Sequence, residues 1–106
     1  MNKITYNKLV RDKIPELIEA DGKILAMEIL SDESFVKMVD AKMDEELAEY
    51  HKDQNLEELA DILELIYTAT VARGFSIEEL ENVRRIKAEK NGTFEKKIYL
   101  KEVYEW

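Results

Sequence analysis

Two pairs of acids mark where this chain could do chemistry: Glu46 with Glu49, and Glu58 with Asp61. Each pair is spaced i, i+3, so on a helix its two carboxylates share one face. On a wheel of roughly 100° per residue, Phe35, Val36, Val39, Met43, Leu47 and Tyr50 form one apolar stripe along a helix from 32 to 51, and Glu46 falls inside it. Lys42 and Glu49 lie on the rim of that stripe; Asp44 and Glu45 point further out. A carboxylate that faces a core is costly unless it is paired or coordinates a metal. For most acids of the chain a solvated face is the ordinary reading, and Glu46 escapes it by position.

A helix from 56 to 73 is apolar nearly all round, and its acids, Glu57, Glu58, Asp61 and Glu64, are confined to one sector. That sector is either the helix's wet side or the side that faces Glu46 and Glu49. The short turn at 52–55 favours antiparallel neighbours, which brings the two acidic pairs to the same end of a helical hairpin. Four converging carboxylates suit a hard divalent cation with oxygen ligands: magnesium, manganese or calcium. A di-iron bundle would need Glu-x-x-His pairs, but the single histidine, His51, is preceded three positions back by Ala48 and reads as a helix-end residue.

Cations supply the counterpart. In a helix after Ser76, Arg84 and Lys87 project from the same face as Ile77, Leu80 and Val83, with Lys90 at its edge and Arg85 turned away. Snorkelling of long stems over apolar surface is one account of that placement; contact with a polyanion is the other, Arg offering bidentate phosphate contacts and Lys a point charge. Lys8, Arg11 and Lys13, in an N-terminal arm, extend the same basic wall. Acids that hold a divalent cation opposite bases that meet phosphate serve phosphoryl or nucleotidyl chemistry. No glycine-rich phosphate loop is present.

The elements that must position these groups are legible from caps and breakers. Pro15 suits the first turn of a short helix that Gly22 ends. Residues 24–30, ILAMEIL, are an apolar run of ambiguous type. Ser31 or Asp32 caps the long helix to about His51, Asn55 caps the next, which Gly74 closes, and Ser76 with Glu79 fits a capping box for a fourth that ends near Asn91-Gly92. The tail, FEKKIYLKEVYEW, is aromatic and β-branched and reads as a strand or hairpin arm. The class is mainly α: a small antiparallel helical bundle with a short β arm at the C-terminus.

At 106 residues the chain is a single domain, 1–106, with no linker, repeat or low-complexity tract. The net charge of −8 argues against duplex nucleic acid as partner. No apolar run approaches the ~18 residues of a membrane span, and the first residues lack the apolar stretch of a signal peptide, so the cytoplasm is the expected location. The absence of cysteine excludes disulfides, thiolate-ligated zinc, iron–sulfur clusters and a thiol nucleophile. Tyr6, Phe35, Tyr50, Tyr67 and Trp106 are candidates for base stacking, although aromatics at helical spacing are usually core.

Taken in order, KLVRDKIPE at 8–16, Glu45-Glu46-x-x-Glu49, Glu58-Leu-Ala-Asp61 followed by Ile62-Leu63-Glu64, and Lys90-Asn91-Gly92-x-Phe94 resemble the MazG-like all-α nucleotide pyrophosphohydrolases, especially the short phosphoribosyl-ATP pyrophosphohydrolase-like members described as house-cleaning pyrophosphatases. The resemblance covers nearly the whole chain. It implies Mg²⁺-dependent hydrolysis (Mn²⁺ as a substitute) of a nucleoside triphosphate, canonical or not, to monophosphate and pyrophosphate. Carried over, Glu46, Glu49, Glu58 and Asp61 are the metal ligands. Glu45 or Glu46 orients or deprotonates the attacking water. Lys42, Arg84, Lys87 and Lys90 touch phosphates, joined by Lys8 and Arg11. The family assembles as dimers or tetramers, so a homodimer or homotetramer is implied. Two further readings remain open: phosphoribosyl-ATP as substrate, and a non-catalytic acidic helical assembly module.

Overall fold

Three side-chain caps and one first-turn proline explain four helices. The computed structural model describes residues 2–106. After an arm without regular structure, α1 spans Ile14–Ala20, with Pro15 in its first turn, where a missing N–H costs nothing. α2 spans Asp32–Asp53; the Ser31 hydroxyl accepts from the Ser34 N–H at 3.2 Å and satisfies an otherwise orphaned donor. α3 spans Leu56–Ala72, capped by the Asn55 carboxamide oxygen, which accepts from Glu58 N–H at 2.9 Å. α4 spans Ile77–Asn91, where Ser76 Oγ accepts from Glu79 N–H at 3.0 Å and donates to the Glu79 carboxylate at 3.2 Å.

Mainly α is therefore the class. α2 runs two residues past His51, to Asp53, which tightens the expected turn to Gln54 and Asn55. Gln54 takes the left-handed conformation (φ 50°, ψ 39°) and its N–H donates to the Tyr50 carbonyl at 2.7 Å, ending α2 abruptly. So short a connection folds α3 back along α2, and this hairpin is the dominant packing of the molecule. At its open end Arg73 reaches Asp40 at 3.1 Å, an exposed ion pair worth at most about 1 kcal/mol.

Two expectations are corrected. The C-terminal β arm is not formed: among the described residues there is no strand, and 98–106 run on without regular pairing after a turn closed by Lys97 N–H to Phe94 carbonyl at 3.2 Å. A strand needs a ladder partner, and 24–30, also without regular structure, does not supply one. Leu47, assigned to the inner stripe of α2, is 46% exposed. Val39 is the sole buried residue among those described, and it lies midway along the α2 face turned to α3. α4 packs lightly on α3 and, among the described residues, not on α2.

Candidate metal centre

The α2–α3 hairpin brings acids together near its tight turn. Glu46 from α2 and Glu58 and Asp61 from α3 each place a carboxylate oxygen within 4.8 Å of the other two, and Glu49, Asp53 and Glu58 do the same one turn further along. All four acids expected as ligands thus belong to one of two adjoining triads, with Glu58 common to both. Asp53 is not among the expected ligands, because a helix ending near His51 leaves it in the turn, although its i, i+4 spacing from Glu49 is a helix-face signal. Glu46 is the most sheltered of the ion-paired acids, its side chain 13% exposed, as its place inside the α2 stripe requires.

Three cations rim the cluster. Lys42 Nζ lies 3.2 Å from Glu45 and 3.4 Å from Glu46, with its side chain mostly covered. Lys8 Nζ donates to Glu45 at 3.3 Å, and Arg11 Nη2 donates to Asp61 at 2.7 Å. The arm that begins the chain is thereby anchored on the acids of both helices. Glu45 does not point outward as the helical wheel has it; it is half-buried beneath two lysines. Burial pushes its carboxyl up, but hydrogen bonds from Lys42 and Lys8 and their charges outweigh that and hold it below the usual carboxylate range. Glu58 shows the opposite. Desolvation, a hydrogen bond with Glu46 that only a protonated carboxyl can donate, and the charges of Glu46, Asp61 and Asp53 push it above that range. The crowding is therefore only partly relieved by the surrounding lysines and arginine.

The cations of α4 are elsewhere. Arg84 pairs with Glu81 on its own helix, Arg85 reaches Asn82 at 2.8 Å, and no ion pair joins Arg84, Lys87 or Lys90 to the cluster among the described residues. The expected phosphate wall is thus divided: Lys8, Arg11 and Lys42 stand at the acids, while Arg84, Lys87 and Lys90 are exposed on a helix that barely touches the hairpin. A groove of about 620 Å³ opens at the hairpin's other end, lined by Phe35, Tyr67, Val71 and Ile77 with Asp32 and Glu64.

The donor set is all oxygen, charged and crowded, which fits a hard divalent cation. Together, fold and cluster define an all-α chain with carboxylates of metal-ligating spacing. No family model and no solved structure matches the chain. A stretch of 42 residues, 40% of the chain, is 52% identical to an uncharacterized protein of Mycolicibacterium smegmatis (strain ATCC 700084 / mc(2)155), and the match spans 43% of that protein's length. No helix among the described residues is long and apolar enough to cross a membrane.

Proposed function

We propose that this protein is a Mg²⁺-dependent nucleoside triphosphate pyrophosphohydrolase of the MazG-like kind, releasing nucleoside monophosphate and pyrophosphate, and that it works in the cytoplasm as a homodimer or homotetramer. The observation that carries this reading is the triad of Glu46, Glu58 and Asp61 on facing helices, their oxygens within 4.8 Å, with Arg11 paired to Asp61, Lys42 to Glu46, and Lys8 to the adjacent Glu45. Glu46, Glu58 and Asp61 would hold Mg²⁺ or Mn²⁺, with Glu49 and Asp53 extending the site. A metal bound there supplies Lewis-acid activation of water and neutralises phosphate charge.

The chain's own groups have definable tasks. Lys42, held against Glu45 and Glu46, is the cation set deepest among the acids. Lys8 and Arg11, carried by the arm, are free to exchange their carboxylate partners for phosphate oxygens, and Arg11 can do so through two parallel N–H donors. Glu45, kept ionised by its lysines, orients a water; Glu46, on the adjacent position and in the triad itself, is placed to take a proton from it. The combination of clustered acids and movable bases suits a substrate with several phosphates better than a neutral one.

The test is pyrophosphate release from a panel of canonical and modified nucleoside triphosphates, with Mg²⁺ and with chelator, for the wild type and Glu46→Gln. Release that needs the metal and vanishes in the variant supports the reading. Silence across the panel, with metal binding intact, transfers the proposal to phosphoribosyl-ATP; silence in both overturns it.

A further inference from the structure

What fastens the first segment of the chain to the hairpin is charge. Among residues 2–13 every side chain except that of Leu9 is exposed. Among the described residues, no backbone hydrogen bond joins 2–10 to the rest of the chain, and α1, which follows, packs on no other helix. Two side-chain bonds remain: Lys8 Nζ to Glu45 at 3.3 Å and Arg11 Nη2 to Asp61 at 2.7 Å. Asn7, with φ at 46°, turns the backbone immediately before Lys8. The segment's other cations, Lys3 and Lys13, have no such partner among the described residues.

Both fastenings end on groups for which a cation at the acids would compete. Asp61 belongs to the triad with Glu46 and Glu58, and Arg11 is its sole cationic partner among the described residues. Glu45 adjoins Glu46, and the two share Lys42 at 3.2 and 3.4 Å. Because Lys42 comes from α2 itself, Glu45 keeps a cation when Lys8 leaves. A doubly charged ion among three carboxylates cancels most of the field that holds a guanidinium against one of them, and repels the guanidinium at the same range. Exposed ion pairs are individually weak, and here little apolar contact backs them. Segments attached with so little burial are the first to open.

We infer that the segment before α1 is a strap released by the divalent cation: in the metal-free chain Arg11 and Lys8 serve as counter-ions to the acids, and the arriving cation takes over that task and frees them. The inference rests on the metal reading of Glu46, Glu58 and Asp61, and adds an order of events to it. Lys8 and Arg11 become available to a polyanion only once the cation has replaced them. A nucleotide that arrives without the cation meets an arginine and a lysine still engaged with carboxylates. By linkage, whatever weakens the strap tightens cation binding by the same factor.

Chymotryptic cleavage after Tyr6 reads the strap, since Tyr6 is carried by the segment and is not one of its two fastening groups. Loss of residues 1–6 is followed by mass. In chelator the wild type should be cut slowly. Mg²⁺, at matched ionic strength, should speed the cut about threefold or more, because cleavage follows the population of the open form. The double variant Lys8→Gln, Arg11→Gln should be cut at the fast rate in both conditions and should bind Mg²⁺ more tightly by calorimetry; Lys3→Gln should behave as the wild type. Cleavage that Mg²⁺ leaves unchanged or slows, while calorimetry shows the ion bound, overturns the strap and leaves the metal reading standing. Cleavage of the double variant as slow as that of the wild type in chelator also overturns the strap. Mg²⁺ binding by the double variant alone supports it, with the strap then strong enough to exclude the ion. Binding by neither overturns the metal reading and the strap with it. The wild-type comparison needs no substitution and decides the matter where a variant fails to fold.

Discussion

The α2–α3 hairpin and the segment that follows it, α4 with the tail, differ in how they settle their charge and their apolar surface. Near the hairpin's turn, acids face acids across two helices and the chain spends three of its own cations on them: Lys42 from α2, Lys8 and Arg11 from the arm. In α4 the ion pairs and polar contacts close within three residues, Arg84 to Glu81 and Arg85 to Asn82. Short-range pairs of that kind solvate a helix and position nothing else. Long-range pairs, 37 and 50 residues apart in sequence, tie distant segments to one point, which is what a site requires. On the proposed reading, the contrast assigns the chemistry to the hairpin.

The hardest blow to that assignment would come at Glu46. Glu46→Gln should lower metal-dependent pyrophosphate release by more than about a hundredfold, since even outer-shell partners of a metal are worth ten- to a hundredfold. Its thermal midpoint should stay or rise slightly, because a charge leaves a crowded cluster. Glu57→Gln, on the same hairpin but outside both triads, should stay within about twofold. Equal effects in steady-state assays of the two variants would dissolve the distinction between clustered and merely acidic.

Arg11 and Arg84 sharpen the same comparison from the basic side. Arg11→Gln removes the cation on Asp61 and should tighten Mg²⁺ binding in the absence of nucleotide while raising KM for nucleotide, by about threefold to tenfold given a charge-assisted bond on an exposed pair. Arg84→Gln should change KM by less than twofold. Calorimetric metal titrations and initial rates check both, and a larger effect at Arg84 would mean that α4 reaches the acids after all, from its own chain or from a second one.

Acid titration separates two carboxylates within the hairpin itself. Metal affinity should fall on acidification from pH 7 before an ordinary carboxyl near 4.5 would protonate, because Glu58 is raised above that value; Glu58→Gln should remove this early phase. For the metal-free fold the signs oppose. Glu58's folded value is above its unfolded one, so its contribution is full below the unfolded value and is lost as pH rises through the folded one. Glu45's folded value is below its unfolded one, so its contribution is present above the unfolded value and is lost as pH falls through the folded one. Thermal unfolding with chelator should therefore show the wild type gaining on Glu58→Gln from pH 7 toward 5.

Local signals made the hairpin readable in advance. Ser31, Asn55 and Ser76 each accept from the amide three residues on, as their positions at the head of periodic segments require, and Glu46's place in the stripe follows from helical periodicity. What sequence could not carry was the arm's return to the cluster. Nothing in spacing says that Arg11 meets Asp61 or that Lys8 draws Glu45 inward, because those contacts depend on the path of residues 2–31, which has little regular structure. The tail failed for a related reason: β-propensity expresses fit to a partner strand, and among the described residues there is none. Asp53 was lost to a boundary error of two residues, the usual uncertainty of a helix end.

The smallest effect tests the turn on which the hairpin depends. Gln54 holds φ at 50°, a conformation that costs a side-chain-bearing residue about 1 kcal/mol and glycine almost nothing. Glycine's larger ordering entropy takes back part of that gain, so Gln54→Gly should raise the thermal midpoint by about 2–4 °C for a domain of this size, read by calorimetry at fixed protein concentration. Pyrophosphate release should be unchanged, since the Tyr50 carbonyl still receives the residue's N–H and the helices on either side keep their register. A midpoint that rises while turnover falls would show that Gln54's rigidity, one residue after Asp53 and four before Glu58, helps to hold the acids at their spacing.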